Sequence, residues 1–146
     1  MTANDIRLHI DRDRVHAGDE EYPPFHMIRE TRVMRGDVTV GEVVDAIVTR
    51  GPDRYSLASV AGRVTWALYG GSGVEKPYGG MPDKAVALAV IDRRPRQYGE
   101  ARLLVDPDLS LADLADTDGN AAFYFHYLCD ADPRETWQRL HAGADS

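Results

Sequence analysis

The stretch TVGEVVDAIV, residues 39–48, decides how the rest of the chain is read. Thr39 followed three residues later by Glu42 is the spacing of a capping box, and Val38 and Val43 stand where a hydrophobic staple would close. Val40, Val43, Val44 and Ile47 recur at helical spacing on one face, with Ala46 beside them. Gly51-Pro52 stops the pattern just after Arg50. Gly41 weakens the helix without overturning it. A central helix is therefore expected over about 39–50, and its flanks carry the patterns of strands.

Upstream, Ile6, Leu8 and Ile10 alternate with Arg7, His9 and Asp11, the period-two signal of a half-buried strand. Asp11-Arg12-Asp13-Arg14 reads as a polar turn and Val15 resumes the apolar pattern, so residues 5–17 are expected to form a hairpin. Tyr22-Pro23-Pro24 forces a loop, and Phe25 to Met34 reads as a third strand, ended by Gly36-Asp37. Downstream, residues 55–69 hold one or two strands broken near Ala61-Gly62, and GGSGVEKPYGGMP, residues 70–82, is a glycine-rich loop. Ala85 to Ile91 is almost wholly apolar, as in a strand covered on both faces. Ala101 to Val105 follows as its hairpin partner. Ser110 with Asp113 caps a short helix over about 110–116, and Ala121 to Cys129 is an aromatic strand with Phe123, Phe125 and Tyr127 on one side. Asp132 as N-cap, Pro133 as first helical residue and Glu135 mark a C-terminal helix over about 133–142, docked by Trp137 and Leu140.

The expected fold is α+β: a mainly antiparallel or mixed sheet of about six to eight strands, with the three helices just placed, in one domain over residues 1–146. The hairpin IRLHIDRDRV and the helix TVGEVVDAIV give an order of strands and helix that resembles the β-grasp, or ubiquitin-like, arrangement over about residues 5–105. A ubiquitin-like modifier would end in Gly-Gly, whereas this chain ends Ala142-Gly143-Ala144-Asp145-Ser146. The resemblance therefore implies no conjugation chemistry.

Hydrophobic residues at 43% and charged residues at 28% are ordinary for a packed protein. No apolar run reaches the roughly 20 residues of a membrane span, and Met1 to Asp5 lacks the start of a signal peptide. A lone cysteine, Cys129, fits a reducing compartment. The expected location is the cytoplasm. Of the 17 basic residues 15 are arginine, a bias expected of a GC-rich bacterial genome. The net charge of −7 is uneven: acids and bases cancel over residues 1–102, and the whole surplus lies in 103–146. That field repels phosphate backbones, which argues against a nucleic-acid partner, and it attracts basic proteins.

Each candidate chemistry fails on spacing. His9, His16, His26, His126 and His141 include no pair at zinc-ligand spacing, and His126 with Cys129, three apart on a strand, would face opposite ways. Cys129 sits between aromatic residues and Asp130, without the positive charge that activates a thiol. Lys76 follows Gly73 at the wrong distance for a phosphate loop and precedes Pro77. Asp116-Thr117-Asp118-Gly119-Asn120 puts its glycine too early for a calcium loop. The aromatic run at 123–127 lies in the acidic third, unlike a base-stacking platform. No metal, cofactor or catalytic residue is expected, and an enzyme is the less favoured class.

What remains is a protein-binding domain. Small, acidic proteins without active-site motifs are similar, by size and charge, to bacterial immunity proteins and antitoxins. That similarity implies occlusion of a basic partner by the acidic third, with Asp106, Asp108, Asp113, Asp116, Asp118 and Tyr78 as contacts. The plainer reading of those acids is turn formation, helix capping and solubility. Two other classes stay open. One is a small enzyme or ligand-binding domain whose site assembles His9, His26 and His126. The other is an accessory structural protein that works by oligomerising.

Overall fold

A computed structural model describes residues 5–13, 30–49, 55, 57, 64–72, 85–93, 100–128 and 132–144. In chain order the elements are strands β1 (Asp5–Arg12) and β2 (Glu30–Arg35), helix α1 (Val40–Val44) with a π-helical continuation (Asp45–Thr49), strands β3 (Val64–Ser72), β4 (Val86–Arg93) and β5 (Glu100–Leu103), helix α2 (Leu111–Leu114), strand β6 (Asn120–Tyr127) and helix α3 (Pro133–Ala144). The strands form one mixed sheet in the order β2-β1-β6-β3-β4-β5. The expected α+β class is met at this level: six strands in a mixed sheet with a few short helices.

Pairing corrects several boundaries. Among the described residues the antiparallel partner of β1 is β2, in register from Asp5↔Arg35 to Ile10↔Glu30. The expected turn partner from Val15 onward lies outside the described residues, as does the Phe25 end of the third strand. The other neighbour of β1 is β6, in parallel, from Arg7↔Asn120 to Arg12↔Phe125. The sheet is thus not completed within residues 5–105, the span of the β-grasp resemblance; its central strand comes from residues 120–127. β6 then pairs antiparallel with β3, from Trp66↔Tyr127 to Ser72↔Ala121. β3 runs through Gly70 and Gly71 to Ser72, so the start of the expected glycine-rich loop is strand. The rest of that loop, and the Ala61-Gly62 break, lie outside the described residues.

Gly70 has a packing reason. A Cβ there would stand 2.5 Å from Leu88 Cδ1 and 3.2 Å from Leu88 Cγ, next to a register shift between Leu68 and Tyr69 in the β3–β4 ladder. Ala101–Leu103 pairs with Ala89–Ile91 as expected, but the strand ends at Leu103, before Val105.

The central helix starts as expected. The Thr39 hydroxyl accepts the Glu42 amide at 3.0 Å and donates to Glu42 Oε1 at 3.1 Å. The α-helix covers only Val40–Val44; the next five residues wind as a π-helix, whose i→i+5 bonds widen the turn. Val43, Val44, Ile47 and Val48 are all buried through that change. The second cap is complete: Ser110 Oγ accepts the Asp113 amide and Asp113 Oδ2 accepts the Ser110 amide. The two caps are tied together, because Val40 N donates to Leu109 O at 2.7 Å and Leu111 N to Val38 O at 2.8 Å. α2 is one turn long, and Ala115 already has extended backbone, short of the expected residue 116.

One sheet face is apolar. Ile6, Leu8 and Ile10 of β1 lie with Ala121, Phe123 and Phe125 of β6 and with Trp66 and Leu68 of β3, in one core with Val40, Val43, Val44, Ile47 and Leu111. Tyr55 stacks on Phe125 at 5.3 Å between ring centres. α3 packs against β4, and Trp137 Nε1 donates to Leu103 O at 2.9 Å. No helix among the described residues is long and apolar enough to cross a membrane.

Candidate functional site

The opposite face of β1 and β6 is polar. Strand alternation puts Arg7, His9 and Asp11 on it together with Asn120, Ala122 and Tyr124. His9 is nearly buried. Its Nε2 donates to Asn120 Oδ1 at 3.0 Å, and Nδ1 meets Thr31 Oγ1 at 3.0 Å. Arg7 Nε donates to the same Asn120 oxygen, and its NH2 donates to Asp118 O at 2.8 Å. Asp11 is fully buried, and its Oδ1 accepts the Arg12 amide.

Just past the end of β1 stands Asp13. Its carboxylate accepts the Tyr124 hydroxyl on Oδ1, and on Oδ2 it accepts His126 Nδ1 at 2.7 Å and the Tyr127 amide at 2.9 Å. The Asp13 amide donates to Phe125 O, so the strand ladder itself sets the carboxylate in place. Because a carboxylate only accepts, Nδ1 of His126 carries a hydrogen, and the neutral ring keeps its lone pair on Nε2. The His126 side chain is 42% exposed, and its ring bond uses Nδ1, leaving Nε2 without a hydrogen bond among the described residues. This is the arrangement of an oriented base: carboxylate, imidazole, open nitrogen. Arg12 is buried, its guanidinium carbon 5.8 Å from the centre of the Trp66 ring of the apolar core.

The three histidines proposed from sequence do not gather. His9 faces Ala122 in the ladder, four residues before His126 and so roughly 13 Å away along the strand. His26 lies outside the described residues. Tyr124 is buried, with its hydroxyl turned to Asp13. Among the described residues no three metal-ligating side chains come together. Cys129 lies outside them.

The acidic residues expected as contacts fall into two groups. Asp106 Oδ1 accepts the Asp108 amide, and Asp113 completes the α2 capping box. These acids, with exposed Asp108, stand apart from the second group. Asp116 and Asp118 line an open cleft of about 670 Å³ at the end of the sheet, together with Asp5 and Asp37 from the electrically neutral part of the chain. Ile6, Ala112 and Ala115 give the cleft an apolar side. Asp116 Oδ1 holds the turn by accepting the amides of Asp118 and Asn120, both at 2.9 Å, with Gly119 at φ 79° completing it. Asp37 is paired with Arg35 at 2.6 Å. Tyr78, the remaining expected contact, lies outside the described residues.

Sequence reasoning missed Asp13, Asp5 and Asp37. Asp13 read as one letter of a polar turn, and nothing local links it to a histidine 113 positions away. Compared with protein-family models, curated proteins and solved structures, the chain matches none.

Proposed function

We propose that the chain is a small protein-binding domain that takes a basic segment of another protein into the acidic cleft, in the manner of an immunity protein or antitoxin occluding its target. The observation that supports this reading is the convergence of Asp5, Asp37, Asp116 and Asp118 around one cleft with an apolar side. Such a surface suits the long side chains of arginine or lysine, whose stems are apolar and whose heads are charged. Acidic residues elsewhere in 103–146 steer the approach without touching the partner. The test uses an arginine-rich peptide as probe, with binding measured by calorimetry. Replacing Asp5 and Asp118 together by lysine is expected to weaken binding at least tenfold. An equal charge change at Asp108 and Glu135, outside the cleft, is expected to weaken it far less. Equal losses for the two double variants would leave only a non-specific field and would remove the cleft from the proposal.

A second reading, a small enzyme, is favoured by the Asp13–His126 pair. An imidazole held by a carboxylate, with Nε2 open, suits attack on an activated acyl group or deprotonation of a hydroxyl. Hydrolysis of p-nitrophenyl acetate tests it. The native chain is expected to exceed His126→Ala in rate, with Asp13→Asn between them. A native rate no higher than that of His126→Ala removes this reading.

A further inference from the structure

The sheet ends in two edges that are treated differently. At β5 a side chain of α3 occupies part of the edge strand: Trp137 Nε1 donates to the Leu103 carbonyl, and the Arg102 guanidinium lies 3.9 Å above the indole. At β2, among the described residues, no strand pairs beyond the edge. Open edges are commonly guarded by unbalanced charge, which makes pairing with another chain costly. β2 carries Arg32 and Arg35, yet both are tied back along their own strand. Arg32 donates to the Glu30 carboxylate at 3.0 and 3.2 Å, and Arg35 donates to Asp37 at 2.6 Å. Residues 30–37 are therefore neutral as a group, and the guard is disarmed. Between the two pairs stands Val33, 68% exposed.

We infer that the outer edge of β2 is a self-association surface, where a second copy of this chain adds its own β2 antiparallel across a twofold axis at Val33. Identical antiparallel strands related by an axis normal to the sheet can place opposite each other only residues of the same face. Two registers then centre on the strand. One sets Arg32 against its own copy, and like charges directly opposite are destabilising. The other sets Val33 against Val33, Arg32 against Met34, and Thr31 against Arg35, with an apolar pair at the axis and no like-charged pair facing. The strand is six residues long, so the pairing buries little area and gives a weak, concentration-dependent dimer. The strands run oppositely, so the two acidic clefts, each at the C-terminal end of its β2, lie far apart and open. Self-association is thus independent of the cleft proposal.

Sedimentation equilibrium of the full chain, from micromolar to millimolar concentration, is the first measurement, and a monomer–dimer equilibrium is expected. Val33→Arg, at an exposed position, is expected to raise the dimer dissociation constant at least tenfold. Val33→Cys tests the register: facing Cα atoms in an antiparallel pair lie about 4.5–5.5 Å apart, within the reach of a disulfide. Mild oxidation is expected to link Val33→Cys into a covalent dimer. Arg32→Cys, Val86→Cys (exposed on another strand) and the native chain with Cys129 are expected to stay at background. A chain that remains monomeric throughout, or cross-linking at position 32 or 86 equal to that at 33, overturns the inference.

Discussion

Asp13 takes three hydrogen bonds from a single strand. Removing an acceptor leaves its donors to lose their bonds while they remain partly desolvated, and bonds to a charged group are the stronger kind. Asp13→Ala is expected to lower stability by about 3 kcal/mol in urea unfolding, with Asp13→Asn, which keeps one acceptor oxygen, losing less. A change below about 1 kcal/mol for Asp13→Ala would show that the three bonds are replaced by water. At Gly70 the constraint is steric. The added methyl of Gly70→Ala meets Leu88 in a packed interior, and overpacking of that kind costs about 1–3 kcal/mol. Truncating the obstacle, in Gly70→Ala with Leu88→Ala, is expected to cost clearly less than the sum of the two single changes, which a double-mutant cycle measures.

Among the elements, the two capped helices show what local pattern can deliver. Thr39/Glu42 and Ser110/Asp113 are side-chain motifs three residues apart, so the sequence placed both helix starts to the residue. Their ends were less legible, because no stop residue marks the change to π winding after Val44 or the end of α2 after Leu114. Strand positions were legible from alternation, but partners were not. Ile6, Leu8 and Ile10 mark a face, yet nothing in them says that the neighbour is a parallel strand more than a hundred residues later. Ser110→Ala removes a hydroxyl that caps α2 next to the Thr39–Ser110 bridge, and is expected to cost about 1 kcal/mol in thermal unfolding. Thr39→Ala is expected to cost a similar amount. Because α1 and α2 begin against each other, the double variant is expected to depart from additivity by about 0.5 kcal/mol or more.

Over the whole molecule the charge asymmetry visible in the sequence is real but incomplete. The surplus of acids in residues 103–146 is fixed by composition, whereas the cleft exists only because β1 and β2 bring Asp5 and Asp37 to the turn that holds Asp116 and Asp118. Half of the site therefore lay in the part of the chain that reads as neutral, where no count of charge could reveal it. The same convergence has a thermodynamic consequence. Asp37 is paired with Arg35, and the other three carboxylates around the cleft repel one another in the folded chain more than in the unfolded chain, where they are far apart on average. Salt screens that repulsion, since the Debye length falls from about 30 Å at 0.01 M to about 8 Å at 0.15 M. Melting temperature is therefore expected to rise with added sodium chloride over that range, and to rise less in Asp5→Asn with Asp118→Asn. Those two side chains carry no hydrogen bond among the described contacts, so neutralising them removes repulsion without breaking a cap. The double variant is accordingly expected to melt higher than the native chain at low salt and to bind the arginine-rich peptide more weakly. Higher stability with weaker binding is the pairing expected of residues kept for a partner. A native chain whose melting temperature is insensitive to salt, or falls with it, would mean that the cleft carboxylates are already balanced by cations of the chain itself, and would take away the electrostatic basis for a basic partner.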